Sequence, residues 1–276
     1  EDIFGFIIED QASGDGLATN VTQMSFVPGP HNTADWTDLL QGITLIDENL
    51  NTYSPTVTIS DHLITLDFST PISIADGASL EFLLGIYLNT TNIVDGSIIQ
   101  LEIPSSGHGF KANTNGSNII DPLSLGSVTG NSFTIDIDAT QLQFTQQPTT
   151  AIVNQNMSPA VSVSGVDTNG NIDYDYNLDI TINSSGSLSG SPVTEAPING
   201  VATFSTLNHN AIASGVTLTA SDGLFTSITS NTFDITDAPS VPTPGVIFIT
   251  EVSDASSSSN EYIEIYNNSS SAIDMT

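Results

Sequence analysis

Apolar and polar residues alternate with a period of two in stretch after stretch, and nothing else in the sequence restricts the fold as strongly. Phe4, Phe6 and Ile8, then Leu80, Phe82, Leu84, Ile86 and Leu88, then Ile99, Leu101 and Ile103, then Phe133, Ile135 and Ile137 each occupy every second position. Successive side chains of an extended strand point to opposite faces, so such runs bury one face and wet the other. A helix needs apolar residues three and four apart, and no long stretch has that spacing. Turn formers punctuate the runs: Ser13-Gly14-Asp15-Gly16, Ser60-Asp61-His62, Asp76-Gly77-Ala78 and Asp95-Gly96. This is the rhythm of antiparallel sheets closed into sandwiches, and it predicts an all-β chain of tandem antiparallel β-sandwiches.

The 276 residues leave room for two or three units. The first is expected over 1–140. A second follows over 141–236, with strands around Leu142-Gln143-Phe144, Ala160 to Val163, Leu178 to Ile182, Gly200 to Phe204, Val216 to Ala220 and Thr232 to Ile235. Pro239, Pro242 and Pro244 then crowd residues 237–245, where missing N–H donors and fixed φ angles favour an extended linker over a sheet ladder. Val246 to Ile249 and Tyr262 to Tyr266 begin a third β-unit over 246–276. With no Met at its start and an unfinished unit at its end, the chain reads as an internal or processed piece.

Charge narrows the partners. The chain has 31 Asp and Glu against one basic side chain, Lys111, for a formal net charge of -30. Ion pairs can satisfy almost none of these carboxylates, leaving water, backbone N–H groups, bound metal or external salt. Phosphate recognition needs clustered Lys and Arg, so nucleic acid is excluded as an expected partner. Anionic membranes are excluded on the same ground, and no apolar run is long enough to span a bilayer as a helix. The absence of Cys removes disulfides, thiolate zinc sites and cysteine nucleophiles.

The second unit resembles the bacterial Ig-like repeats of large surface proteins. The resemblance rests on Leu142-x-Phe144 with Gln147-Pro148, Pro159-x-Val161-x-Val163 leading to Asp167-Thr168-Asn169-Gly170-Asn171, Asn199-Gly200-Val201-Ala202-Thr203-Phe204, and Leu218-Thr219-Ala220 before Ser230-Asn231-Thr232-Phe233. It implies a spacer or adhesive sandwich without catalysis. Ile249-Thr250-Glu251-Val252, Glu261 to Asn268 and Ala272-Ile273-Asp274 resemble the opening of a lamin-tail-type domain. Asp15-Gly16-Leu17-Ala18-Thr19-x-Val21-Thr22 is similar to sandwich repeats exported by type IX secretion, which implies a cell-surface or extracellular location and contact with secretion machinery.

The most suggestive local pattern for a ligand is Asp167, Asn169, Asn171, Asp173 and Asp175, oxygen-bearing side chains at alternate positions around Gly170. Hard oxygen donors suit calcium. The competing reading is a hairpin turn at Asn169-Gly170 followed by a strand with an acidic outer face. Asp136 and Asp138 alternate with Phe133, Ile135 and Ile137, so they point outward near the end of the first unit, either holding an interdomain cation or guarding an edge strand. Glu9, Asp10 and Asp15 form a further acidic group. His31, His62, His108 and His209 have no metal-ligand spacing and read as surface or turn residues, with Gly107-His108-Gly109 a flexible loop.

No Gly-x-Ser-x-Gly elbow presents a nucleophilic serine, and no catalytic residue or cofactor other than calcium is expected. Trp36 and the tyrosines raise a carbohydrate-binding face as a weak alternative. The expected function is a structural or adhesive spacer of a large secreted cell-surface protein, whose partners are neighbouring domains and, outside the chain, surface glycans or another surface protein. The rival is a non-catalytic accessory region of an extracellular hydrolase or nuclease.

Overall fold

The computed structural model describes residues 2–11, 15–238, 247–253 and 262–267. The proline-rich linker beyond Ala238, the Ser13-Gly14 part of the first turn and much of the third unit lie outside these residues. The architecture is all-β, nearly all of it antiparallel, and among the described residues there is one four-residue helix, at Trp36–Leu39. No helix among the described residues is long and apolar enough to cross a membrane.

Two hydrophobic cores organise the described residues. Around the first, one sheet runs in the order Asp2–Glu9, Ser79–Leu88, Leu40–Asp47, Thr52–Tyr53. The facing sheet runs Val128–Thr129, Leu101–Ile103, Thr19–Pro28, Leu63–Ile74, Thr56–Ser60. The period-two residues do what their spacing requires: Phe4, Phe6, Phe82, Leu84, Ile99, Leu101 and Ile103 are buried between the sheets. The Phe6 ring stacks on Phe82 at 5.3 Å and meets Phe26 and Phe110 edge-on at 5.5 and 6.0 Å. Such pairs add about 0.5–1.5 kcal/mol each beyond the area they bury. Trp36 is fully buried and its indole Nε1–H donates to Asn32 Oδ1 at 2.9 Å, so it belongs to the core and offers no sugar-stacking face.

The second core lies among three smaller sheets: Gln141–Gln146 with Val161–Val166 and Val201–Phe204, Ala151–Ile152 with Phe233–Thr236 and Ala213–Val216, and Val193–Glu195 with Ile180–Ser184, Leu218–Ser221 and Ile228–Thr229. Gly165 sits where a Cβ would come within 2.4 Å of the Tyr176 ring. The bare backbone lets that ring lie flat against the strand and carries its hydroxyl to Asp222 Oδ2 at 2.6 Å. In the third unit, Ile247–Ser253 pairs antiparallel with Tyr262–Asn267.

Two expectations about local structure change. The run from Phe133 to Ile137 is paired only at Phe133–Thr134, against Ile98–Ile99. Beyond it a strand ladder gives way to individual acceptors: Ile135 N–H donates to Ser97 C=O, Ile137 N–H to the Asp95 carboxylate and Ala139 N–H to the Asp173 carboxylate. Two histidines are not surface residues. His108 is buried, with Nε2 3.0 Å from Ile120 C=O and Nδ1 accepting from Phe110 N–H, so the Gly107-His108-Gly109 loop is pinned by its imidazole. His209 is 1% exposed.

Candidate functional site

The richest chemistry lies where the two sandwiches meet, and it starts from a local turn. Asp167 Oδ1 accepts from the N–H groups of Asn169 and Asn171 at 2.8 and 2.9 Å, and Oδ2 accepts from Asn171 Nδ2 at 2.8 Å. Burial would raise the Asp167 carboxyl, but these donors outweigh it and hold the group below the usual carboxylate range. Gly170 supplies the positive φ, 88°, that closes the turn. The carboxylate is thus spent on its own loop, and the Asp167 to Asn171 half of the alternating pattern builds a turn.

The same device occurs in the first sandwich. Asp47 Oδ1 accepts from Asn49 and Asn51 N–H at 2.9 Å each, Oδ2 from Asn51 Nδ2 at 2.8 Å, and the fourth residue, Leu50, has φ 63°. Asp47 additionally accepts from Tyr53 Oη, which together with burial pushes that phenol up to about 12.

The two turns differ in what they touch. Asn51 is exposed, whereas Asn171 is 5% exposed because its amide docks on the first sandwich. Nδ2 donates to Thr90 C=O at 2.9 Å and Oδ1 accepts from Ile93 N–H at 3.1 Å. Asp95 reaches the other way: Oδ2 accepts from Tyr174 N–H at 2.9 Å and Oδ1 from Ile137 N–H at 2.8 Å. Asp173 answers from the second sandwich, with Oδ2 accepting from Ala139 N–H at 2.9 Å and Oδ1 from Asp175 N–H at 3.1 Å. The segment connecting the sandwiches is therefore held by a buried carboxylate from each side. A Cβ on Gly200 would come within 2.0 Å of Asp173 C=O, so that glycine clears the space for this loop.

One oxygen from each of Asp95, Asp173 and Asp175 lies within 4.8 Å of the others, with Asp95 and Asp173 buried and Asp175 exposed. Asp136, also exposed, lines the same open cleft of about 490 Å³. The Asp175 carboxyl is pushed above its ordinary range, first by its hydrogen bond with Asp173, then by the Asp173 charge, burial and the charges of Asp95 and Asp136. The arrangement concentrates negative charge and could hold a hard cation such as calcium through carboxylate oxygens.

Of the residues singled out in the sequence, the structure gathers Asp173, Asp175 and Asp136 at this junction. Asp167 and Asn171 are engaged in the turn and its docking, Asn169 is in the turn and exposed, and Asp138 is exposed on the connecting segment. The residue that sequence reasoning missed is Asp95, read there only as a turn former. In the acidic group at the other end of the first sandwich, buried Asp10 accepts from Thr19 Oγ1 at 2.8 Å and Asp15 Oδ1 caps Leu17 N–H at 2.8 Å.

A serine and a histidine also meet: Ser184 Oγ is 2.8 Å from His209 Nε2. No acid orients Nδ1 and the ring is sealed from solvent, so this contact lacks the third member and the access that nucleophilic catalysis requires. In comparison with known proteins, no family model matches the chain and no curated protein matches it.

Proposed function

We propose that the chain is a structural spacer of a large secreted cell-surface protein, in which β-sandwiches are stacked end to end and held at fixed angles by polar junctions. The observation that carries this reading is the junction itself. Asn171, Asp95 and Asp173 fasten the end of one sandwich to the loops of the next through backbone N–H and C=O groups. A flexible tether would need none of these bonds, and a ligand cleft would want convergent side chains free to meet a substrate. Here the buried carboxylates are occupied in positioning backbone.

The resemblance of the second unit to bacterial Ig-like repeats and of the third to a lamin-tail-type opening supports the same reading, as does a charge of -30 that opposes collapse of neighbouring modules onto one another. Calcium is the proposed cation for the junction, where it would neutralise Asp95, Asp173 and Asp175 and stiffen the connection. Small-angle scattering on the whole chain tests the spacer. The expected result is an elongated particle whose dimensions hold from low to moderate salt. A compact particle with the sandwiches side by side would overturn the proposal.

A further inference from the structure

Away from the junction one titratable group is out of keeping with its surroundings. His209 Nδ1 is buried with no hydrogen-bond partner, while Nε2 meets Ser184 Oγ. The ring stands edge-on to Phe233 at 5.6 Å, and Gly186 is so close that a Cβ there would lie 3.3 Å from the imidazole. Ser184 Oγ also accepts from Gly186 N–H at 3.0 Å, which fixes it under the ring.

This histidine sits where several segments are stitched together. Its C=O accepts from Asn154 N–H at 2.8 Å, and on either side Met157 N–H donates to Leu207 C=O, Ser189 N–H to Asn208 C=O and Asn210 N–H to Ser187 C=O. Val153 N–H donates to Thr236 C=O at 2.9 Å, so the same pole is where the chain leaves the second sandwich.

Charged groups are scarce around it. Residues 151–160, 180–192 and 205–220 contain no Asp, Glu, Lys or Arg. The strand Phe233–Thr236 brings Asp234, exposed and accepting from Gly215 N–H at 2.8 Å, and the exposed Asp237 follows it. Neither carboxylate is bonded to the ring: Asp234 is engaged by Gly215 N–H at the surface, and His209 Nδ1 has no partner. Burial pushes the imidazole below its ordinary range.

We propose that His209 is an acid-sensitive latch on the outer pole of the second sandwich. Neutral, it bridges Ser184 to the Asn154 and Leu188 loops. Protonated, it carries a charged N–H at Nδ1 with no acceptor, and the pole opens. An unfolded histidine protonates near pH 6.5, whereas the latched ring resists, so the open state binds more protons below that value. Stability is therefore complete above about pH 6.5 and falls as pH drops, by up to about tenfold in the closed-to-open ratio per pH unit, until the latched ring itself titrates. This inference does not depend on the spacer reading.

Residue-resolved amide exchange on the whole chain between about pH 7.5 and about pH 5.5, corrected for intrinsic rates, tests it alongside an NMR titration of the imidazole nitrogens. The expected result is loss of protection at 154–157, 185–189 and 208–217 on acidification, with no such loss in His209→Gln. If that variant does not fold, the wild-type titration decides: His209 must stay neutral below about pH 6.5, where an unfolded histidine is protonated, and protection must fall in that window. A His209 that titrates at the ordinary histidine value of about 6.5, or a pole whose protection is independent of pH, would overturn the latch.

Discussion

Replacing Asn171 by Ala isolates what fastens one sandwich to the next, because the chain contains its own control. Asn51 makes the same contact with Asp47 that Asn171 makes with Asp167, at the same 2.8 Å, but touches no second sandwich. Both substitutions remove the turn bond. Only Asn171→Ala also removes the bonds to Thr90 C=O and Ile93 N–H. At about 0.5–1.5 kcal/mol net per bond, the two junction bonds are worth about 1–3 kcal/mol. Thr90 is exposed and Ile93 half-buried, so water can reach the freed groups and the lower part of that range is expected. Calorimetry of Asn171→Ala and Asn51→Ala gives the difference directly, and scattering should show a broader spread of inter-sandwich angles for Asn171→Ala alone. If the two variants lose the same stability and the scattering profile does not change, the Asn171 amide contributes nothing to the junction and the polar-fastening argument fails.

Three further outcomes follow from the same geometry. Asp175→Asn should raise the melting temperature at pH 7 in chelator, since a carboxyl held above its ordinary range is charged there at a cost; stability should fall in the wild type as pH rises through that group's titration, and calcium should narrow the gap between the two. Leu50→Gly should stabilise the first sandwich by up to about 1 kcal/mol in urea titrations, because Leu50 is 79% exposed and holds φ 63°, where a Cβ costs about 1–2 kcal/mol that the greater freedom of unfolded glycine partly offsets. Tyr176→Phe should cost the second sandwich about 1.5–3 kcal/mol at pH 7 by removing a hydrogen bond to a charged acceptor. Burial opposes ionisation of Asp222, but the Tyr176 hydroxyl and the N–H groups of Phe225 and Leu224 hold its carboxyl below the usual range. That contribution is complete above about pH 4 and vanishes as pH falls through the folded value, so the deficit of the variant should close in strong acid.

The strands that sequence reading located are those whose apolar residues alternate against a polar face, such as Asp2–Glu9 and Ser79–Leu88. Strands without that alternation were harder. Leu40–Asp47 mixes Gln, Gly and Thr into its run, and its place is set by pairing with Ser79–Leu88 rather than by its own pattern. The junction was legible only from one side. Asp173 and Asp175 stand in an alternating acidic run, but Asp95 lies in a different sandwich and its role arises from docking, which leaves no local periodicity. A signal was present for the turn: Asp-x-Asn-x-Asn occurs at Asp47 as well as Asp167, and a pattern repeated in an unrelated loop points to backbone capping before it points to a cation. The buried histidines had no such marker, because neither His108 nor His209 is flanked by residues that distinguish a sealed ring from a surface one.

The burial of Trp36 has a practical corollary. It is the single tryptophan of the chain and it is buried in the core of the first sandwich, while the second contains Tyr174 and Tyr176 and no indole. Light absorbed at the red edge of the aromatic band excites that one side chain. Its emission should shift when the first core opens and stay unchanged when only the second does. Circular dichroism in the far ultraviolet sums both. The lag between the two signals in a single melt measures how tightly the modules unfold together, with no label attached.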